Sequence, residues 1–215
     1  MSYIENIYVC LAAPLLIVVF CLKGERKGHA LFLLGGMTAC LLSSYVTTYL
    51  ARYVDVYTMS DVEADALTTA IEIAPIVEEL MKFVPILFYI LAIAPKKEDI
   101  VERVLMVSVG FATFENVCYL TTHGSDDLED LLIRGFGTGA MHVVCGMILA
   151  TGLVWLSEAA WLRAAGTLGF LAVSVTYHGV YNVLVAQTGT ARVIGFVIPL
   201  FTTLVVLFLR NIKKS

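Results

Sequence analysis

Charged residues are scarce in this chain. Asp, Glu, Lys and Arg make up 15% of its 215 residues, whereas hydrophobic types make up 59%, and the mean hydropathy is +0.86. In soluble domains about a quarter of the residues are charged. Too few polar side chains are therefore present to cover so apolar a chain in water. The composition predicts a protein that lies in the lipid bilayer.

Three further absences narrow the classes of function. No run of Lys and Arg is longer than two residues and the net charge is −4, which excludes a nucleic-acid-binding surface. The five cysteines include no CxxC pair, so neither a disulfide framework nor a zinc knuckle is expected. The glycines Gly135, Gly137 and Gly139 follow no strand signal, so we interpret them as helix-packing residues and not as a nucleotide-binding loop.

The apolar residues fall into long stretches, each close to or above the roughly 20 residues that a helix needs to cross a bilayer. These stretches cover residues 3–22, 30–50, 67–94, 104–122, 131–156, 165–187 and 193–209. The third is predicted to be tilted, with kinks at Pro75 and Pro85. We therefore predict an all-α polytopic transmembrane helix bundle of about seven spanning helices (six to eight). It forms a single integral-membrane domain over residues 1–215, with catalytic core helices over about residues 67–187.

The distribution of Lys and Arg predicts the orientation of the bundle. Ten of these residues fall in the connections after the first, third and fifth stretches and in the C-terminal tail. The opposite side holds only three, namely Arg52, Arg134 and Arg192. Cytoplasmic loops carry an excess of positive charge. We therefore expect the N-terminus outside the cell and the C-terminus in the cytoplasm.

A few charged residues lie within the predicted helices, where charge is costly. They are Glu72, Glu78, Glu79, Lys82 and Glu115. Each costs about 2.5 to 3.5 kcal/mol near the bilayer centre. Such residues face the bundle interior and find partners there. The five are therefore expected to mark a functional site.

Four consecutive helices carry rare polar residues at a common depth. Glu78, Glu115, His142 and His178 lie about 7 to 12 residues from the outer ends of their predicted helices, which places them roughly 10 to 18 Å below the outer boundary. This agreement predicts one polar layer shared by the third to sixth stretches.

Local spacing predicts how some of these groups pair. Glu78 and Lys82 are four residues apart on one helix face, so the lysine is expected to neutralise one of the adjacent carboxylates. Glu78 and Glu79 point about 100° apart, so one can take part in chemistry while the other braces a neighbouring helix. His178 and Asn182 share a face in the same way.

Taken together, these motifs resemble those of a known family. EELMK at 78–82, GFATFE at 110–115, His142 and HGVYN at 178–182 are similar to the PrsW family of bacterial intramembrane proteases, within the wider group that includes the CAAX prenyl endopeptidases. The CAAX branch has EExxxR and FxxxH, whereas Lys82 and Glu115 match the PrsW pattern. The resemblance implies a multi-pass protein of the bacterial plasma membrane. It also implies cleavage of a membrane-anchored anti-sigma factor on the extracytoplasmic side.

Peptide hydrolysis requires an activated water and a stabilised oxyanion. We assign Glu78 as the general base and Glu79 as the residue that orients this base or its water. Asn182 is expected to donate to the oxyanion. Lys82 and Asn116 are assigned supporting roles beside these groups.

Two versions of this chemistry remain open. In one, Glu115, His142 and His178 form a two-histidine, one-carboxylate set for Zn²⁺ with a position left for water. In the other no metal is used: Glu78 activates water with the help of a histidine, and His178 and Asn182 form the oxyanion hole.

The expected partners are a single-pass membrane protein substrate and the lipid bilayer, with neither nucleic acid nor nucleotide. The competing class of function is a proton-coupled transporter or ion relay, because buried Glu and His residues also form relays. A relay spreads along the membrane normal, whereas these groups cluster at one depth. A non-catalytic scaffold would leave the buried charges unexplained.

Overall fold

The computed structural model describes residues 4, 8, 24–58, 69–93, 95–123, 128–155 and 160–212. The first predicted stretch, 3–22, lies outside these residues except for Ile4 and Tyr8. The described chain is all-α. Its helices are α1 (Gly24–Thr58), a π-helical turn (Thr69–Ile73), α2 (Ala74–Ile93), α3 (Lys97–His123), α4 (Leu128–Trp155), α5 (Ala160–Val185) and α6 (Thr190–Ile212).

Each of the six later apolar stretches corresponds to one of these helices, so the prediction of an all-α membrane bundle is confirmed. Within the described residues, four helices are long and apolar enough to cross a membrane, over Gly24–Val54, Lys97–Thr122, Arg134–Val154 and Ala164–Val185. The helix α6 adds a shorter apolar part over Thr190–Val205. The chain is therefore a multi-pass membrane protein. The count of seven spans and the orientation of the termini stay predictions.

The third predicted stretch changes its helical form next to a proline. The π-helical turn ends at Ile73, and α2 starts at Ala74 with Pro75 as its second residue. Proline has no N–H and its ring clashes with the carbonyl four residues earlier, so a regular α-helix does not continue through it undisturbed. Pro85 lies inside α2, and the helix continues past it. The expected disturbance is therefore seen at Pro75.

The most extensive interface joins α1 to α3. Gly28 lies beside Arg103, and Gly36 lies against the backbone of Val107 and Phe111, so the two helices run parallel. An added Cβ at Gly36 would overlap the Val107 carbonyl oxygen. Small residues allow such close approach of helix backbones within membranes.

The helix α4 lies at the centre of the bundle, in contact with α3, α5 and α6. Gly137 is packed against the Phe196 ring of α6, which confirms the interpretation of this glycine as a packing residue. At Gly135 and Gly139 an added Cβ would meet none of the described residues within 4 Å, so contact between helices does not support the interpretation there. Cys145 in α4 is fully buried and is a free thiol, as expected for a small buried hydrophobe.

Candidate active site

The rare polar residues of α2, α3, α4 and α5 meet in one layer, as their common depth predicts. Glu79, Lys82, His142 and His178 are each at most 3% exposed. Glu115 of α3 is half-buried beside them. Apolar side chains surround the group, and Phe111 lies against both the His142 ring and the Lys82 ammonium group.

Glu79 of α2 accepts three hydrogen bonds, two of which join it to α5. Its Oε1 accepts from Lys82 Nζ at 2.5 Å and from His178 Nδ1 at 2.9 Å. Its Oε2 accepts from Ser174 Oγ at 3.0 Å. Of the two adjacent glutamates, Glu79 is thus the one that braces a neighbouring helix.

The lysine neutralises one of the paired carboxylates, as expected, but the partner is Glu79 at i−3 and not Glu78 at i−4. Both spacings place a carboxylate on the lysine's side of a helix. Lys82 pairs with Glu79 because His178 and Ser174 of α5 donate to the Glu79 carboxylate and hold it where Lys82 can reach it.

His142 is held from both sides. Its Nδ1 lies 3.0 Å from Lys82 Nζ, and its Nε2 makes a short hydrogen bond with Glu115 Oε2. Because an ammonium group only donates, Nδ1 accepts from the lysine and Nε2 carries the hydrogen that points to Glu115. Glu115 Oε1 lies 3.5 Å from Arg134 Nη2. The guanidinium of Arg134 is stacked on the Tyr119 ring at 3.5 Å.

His178 presents its second nitrogen to the remaining carboxylate. Its Nε2 lies 3.7 Å from Glu78 Oε2. That oxygen is buried and has no hydrogen-bond partner among the described residues. The His142 and His178 rings meet edge to face, with centroids 5.2 Å apart. The Nε2 atom of each histidine therefore faces a carboxylate oxygen.

A metal ion fits this arrangement. Ligand atoms of Glu78, His142 and His178 all lie within 4.8 Å of one another. Imidazole nitrogen and carboxylate oxygen are donors that zinc takes in proteins. The partnerless Glu78 Oε2 is the kind of buried atom that a cation satisfies.

The charges agree with that fit. Three carboxylates, Glu78, Glu79 and Glu115, lie near two cations, Lys82 and Arg134. With neutral histidines the layer is short of positive charge, which a divalent ion supplies.

A second group of possible ligands comprises Glu79, Cys145 and His178. Its carboxylate already accepts hydrogen bonds from Lys82, His178 and Ser174. The Cys145 thiol is buried against the Ser174 carbonyl oxygen at 3.6 Å. The first group is the better site, because its Glu78 Oε2 accepts no hydrogen bond from any described residue.

The predicted set of Glu115, His142 and His178 is brought together in part. Glu115 contacts His142 directly. Among the described residues, however, the carboxylate grouped with both histidines is that of Glu78. The sequence indicated the layer but did not distinguish which glutamate lies between the imidazoles.

The two asparagines named from the sequence lie at the edges of the layer. Asn182 Nδ2 donates to the Ala70 carbonyl oxygen at 2.8 Å, which joins α5 to the π-helical turn. Asn116 Nδ2 donates to the Gly135 carbonyl oxygen at 3.4 Å.

Sequence reasoning missed two residues of the site. Ser174 precedes His178 by one helical turn and bonds the same carboxylate, so its i, i+4 spacing could have identified it. Arg134, which the charge distribution assigns only to the outer side, lies within α4 and contacts Glu115. No local signal reveals this contact, since Glu115 belongs to another helix.

Comparison with known proteins agrees with the geometry. The model of one protein family, described as PrsW family intramembrane metalloprotease, matches residues 26–209. No curated protein matches the chain, and no solved structure matches it.

Proposed function

This chain belongs to the PrsW family of intramembrane metalloproteases, and from that premise we propose that Glu78, His142 and His178 hold a zinc ion at the active site. The enzyme is thus a membrane-embedded hydrolase of the metalloprotease type that acts on substrates within the bilayer. The observation that carries the proposal is the meeting of these three ligand groups within 4.8 Å. The buried Glu78 Oε2, which has no hydrogen-bond partner among the described residues, supports it.

Zinc bound there supplies Lewis-acid activation of water and of the scissile carbonyl group. Of the three carboxylates, Glu115 is neither a proposed ligand nor the partner of Lys82. We propose that Glu115 takes the proton from water. Arg134 holds that carboxylate in place through Glu115 Oε1. Because His142 Nδ1 accepts from Lys82, a metal would bind at His142 Nε2 and take the place of the hydrogen that points to Glu115 Oε2. This assignment exchanges the roles that the sequence predicted for Glu78 and Glu115. The predicted roles remain the alternative that the experiment below distinguishes.

The buried pair Glu79 and Lys82 positions the proposed histidine ligands. Glu79 accepts from His178 Nδ1 and thereby turns His178 Nε2 toward Glu78. A carboxylate partner of this kind fixes the orientation of a ligating imidazole. Lys82 Nζ contacts His142 Nδ1 and also Glu79, which holds His178. One cation therefore connects the two proposed histidine ligands.

For Asn182 we keep the proposed role as an oxyanion donor. It lies one helical turn after His178 on the same face. Its bond to the Ala70 carbonyl oxygen uses one of two amide hydrogens, so the other can serve a substrate oxygen.

The substrate is proposed to be a single-pass membrane protein of the bacterial plasma membrane, by family resemblance an anti-sigma factor. Cleavage near the extracytoplasmic side follows from the uneven Lys and Arg distribution and from the depth of the polar layer. Family membership favours this hydrolase over the alternative of an ion relay built from the same Glu and His residues.

The experiment compares Glu78→Gln with Glu115→Gln in purified protein. Metal content is measured by elemental analysis, and activity is measured as cleavage of a membrane-anchored reporter substrate. We expect Glu78→Gln to lose metal and activity together, and Glu115→Gln to keep metal while losing activity. Glu98→Gln, an exposed substitution at the start of α3, is the matched control. The reverse result would restore the assignment from sequence, and full activity in both variants would reject the site.

A further inference from the structure

A cavity lies between α1 and α2. Its volume is about 680 Å³, and its walls are mainly apolar. The lining includes Leu31, Phe32, Gly35, Val84, Phe88 and Ile93. Leu31, Val84 and Phe88 are largely exposed, so the cavity is an open groove on the outer surface of the described bundle. No described helix covers this surface, which in a membrane would face lipid.

The groove is separate from the active site. Met81 of α2 lines it together with Thr38 and Ala39 of α1. Glu79 and Lys82 project from α2 toward α4 and α5 instead. The helix α2 therefore lies between the groove and the polar layer.

One end of the groove contains a buried cation. Arg103 lines the groove and is 7% exposed. Its Nη1 lies 3.5 Å from the Glu25 carbonyl oxygen, and its guanidinium is 5.7 Å from the Phe32 ring centroid. Within the described part of the chain no carboxylate forms an ion pair with it.

The backbone makes room for this guanidinium. A Cβ added at Gly28 would lie 2.8 Å from the guanidinium carbon of Arg103. A buried cation with one long hydrogen bond to a neutral carbonyl oxygen is poorly compensated. An anion at this position would supply the missing partner.

Further positive charge lies at the same end of the bundle. Since α1 and α3 are parallel, their first residues lie on one side of the membrane. Arg26 and Lys27 lie in the first turn of α1, and Lys96 and Lys97 lie at the start of α3, all exposed. Basic pockets between transmembrane helices bind anionic lipid headgroups.

We propose that this groove binds one anionic phospholipid, with an acyl chain between α1 and α2 and the phosphate against Arg103. Charge favours a lipid over an apolar helix of a protein partner, because a lipid phosphate supplies the anion that Arg103 lacks among the described residues. An acyl chain is also narrow enough to enter the groove.

The test uses the full chain purified in a neutral detergent. Phosphatidylglycerol and phosphatidylcholine with the same acyl chains are titrated separately, and bound lipid is counted by native mass spectrometry. We expect one site that prefers phosphatidylglycerol by on the order of tenfold or more, because a charge-assisted hydrogen bond forms in a buried place. Arg103→Gln should remove this preference and leave the weaker binding of phosphatidylcholine unchanged.

Two further variants separate headgroup binding from loss of fold. Lys97→Gln removes an exposed cation outside the groove lining and should retain the preference. Gly35→Leu should weaken the binding of both lipids. At Gly35 a Cβ would lie in ordinary contact with Pro85 at 3.8 Å, so the longer side chain extends into the groove. Because Gly35→Leu keeps Arg103, it tests the groove even if Arg103→Gln fails to fold.

Several results would overturn the proposal. Equal affinity for the two lipids would remove the role of Arg103, and so would unchanged selectivity in Arg103→Gln. If inorganic phosphate abolished the preference for phosphatidylglycerol while the lipid stayed bound by its acyl chain, Arg103 would be a simple anion site. A photo-crosslinker at Val84 that captured a protein substrate in preference to lipid would assign the groove to a protein partner.

Discussion

His178 Nδ1 donates a hydrogen bond to Glu79 Oε1 at 2.9 Å, and this bond joins α5 to α2 inside the bundle. The same oxygen accepts from Lys82. One carboxylate therefore orients a proposed metal ligand and neutralises a buried cation. Glu79 and His178 are both buried, so the loss of either would leave the other without this partner, and the pair is expected to contribute to both folding and catalysis.

Replacing Glu79 with glutamine should destabilise the protein strongly. Lys82 would remain buried without its charge partner, and breaking a buried ion pair in this way costs about 3 to 5 kcal/mol. Thermal unfolding in detergent measures the change. Ser174→Ala, which removes one neutral donor to the same carboxylate, should cost only about 0.5 to 1.5 kcal/mol. Equal unfolding temperatures for Glu79→Gln and the wild type would contradict the assigned ion pair.

Removing the metal should lower both activity and stability. A ligand that binds only the folded state at a hundred times its dissociation constant stabilises that state by about 2.7 kcal/mol. We expect a chelator to lower the unfolding temperature of the wild type and added Zn²⁺ to restore it. The chelator should have no effect on Glu78→Gln.

Cys145→Ala tests which group of ligands holds the metal. Cys145 belongs to the alternative group with Glu79 and His178, but not to the proposed one. The variant should retain full metal content in elemental analysis. Loss of metal in Cys145→Ala, with retention in Glu78→Gln, would move the site to the alternative group.

Arg134 should act through Glu115 on the rate of cleavage. Its Nη2 lies 3.5 Å from Glu115 Oε1 while its guanidinium is stacked on Tyr119. Groups that orient catalytic residues from outside commonly change activity by about 10- to 100-fold when removed. We expect Arg134→Gln to lower kcat in that range with little change in KM. Arg134→Lys should recover part of the rate, and a variant that changed KM alone would indicate a substrate contact.

Close helix packing at α1 and α3 should tolerate no added side chain. An added Cβ at Gly36 would overlap the Val107 carbonyl oxygen, and one at Gly110 would overlap that of Leu33. Gly36→Val and Gly110→Val should therefore reduce the yield of folded protein in size-exclusion chromatography. Gly139→Val in α4 is the matched control, since its Cβ would meet none of the described residues within 4 Å. Comparable loss of folded protein in the control would mean that general helix propensity, and not contact, is responsible.

The predicted polar layer shows how much of a membrane-protein site the pattern of residues along the chain can predict. Apolar stretches locate the helices, and a constant rise per residue then converts the position of Glu115 or His142 into a depth. Glu115 and His142 are in contact, as their estimated depths predict. Because charge is so costly in lipid, the few charged residues of the chain already identified the helices that meet.

Partner choice within that layer required the packed bundle. Lys82 has Glu79 and Glu78 three and four residues before it, and local geometry permits either pairing. The pairing with Glu79 depends on Ser174 and His178 of α5, which are far away in sequence. Arg134 and the Arg103 groove depend on neighbouring helices in the same way. Membrane residence, helix positions and the depth of the charged groups are properties of single segments, so the chain alone specifies them. Which carboxylate faces which imidazole depends on how the segments rotate against one another, and side-chain packing between helices sets that rotation.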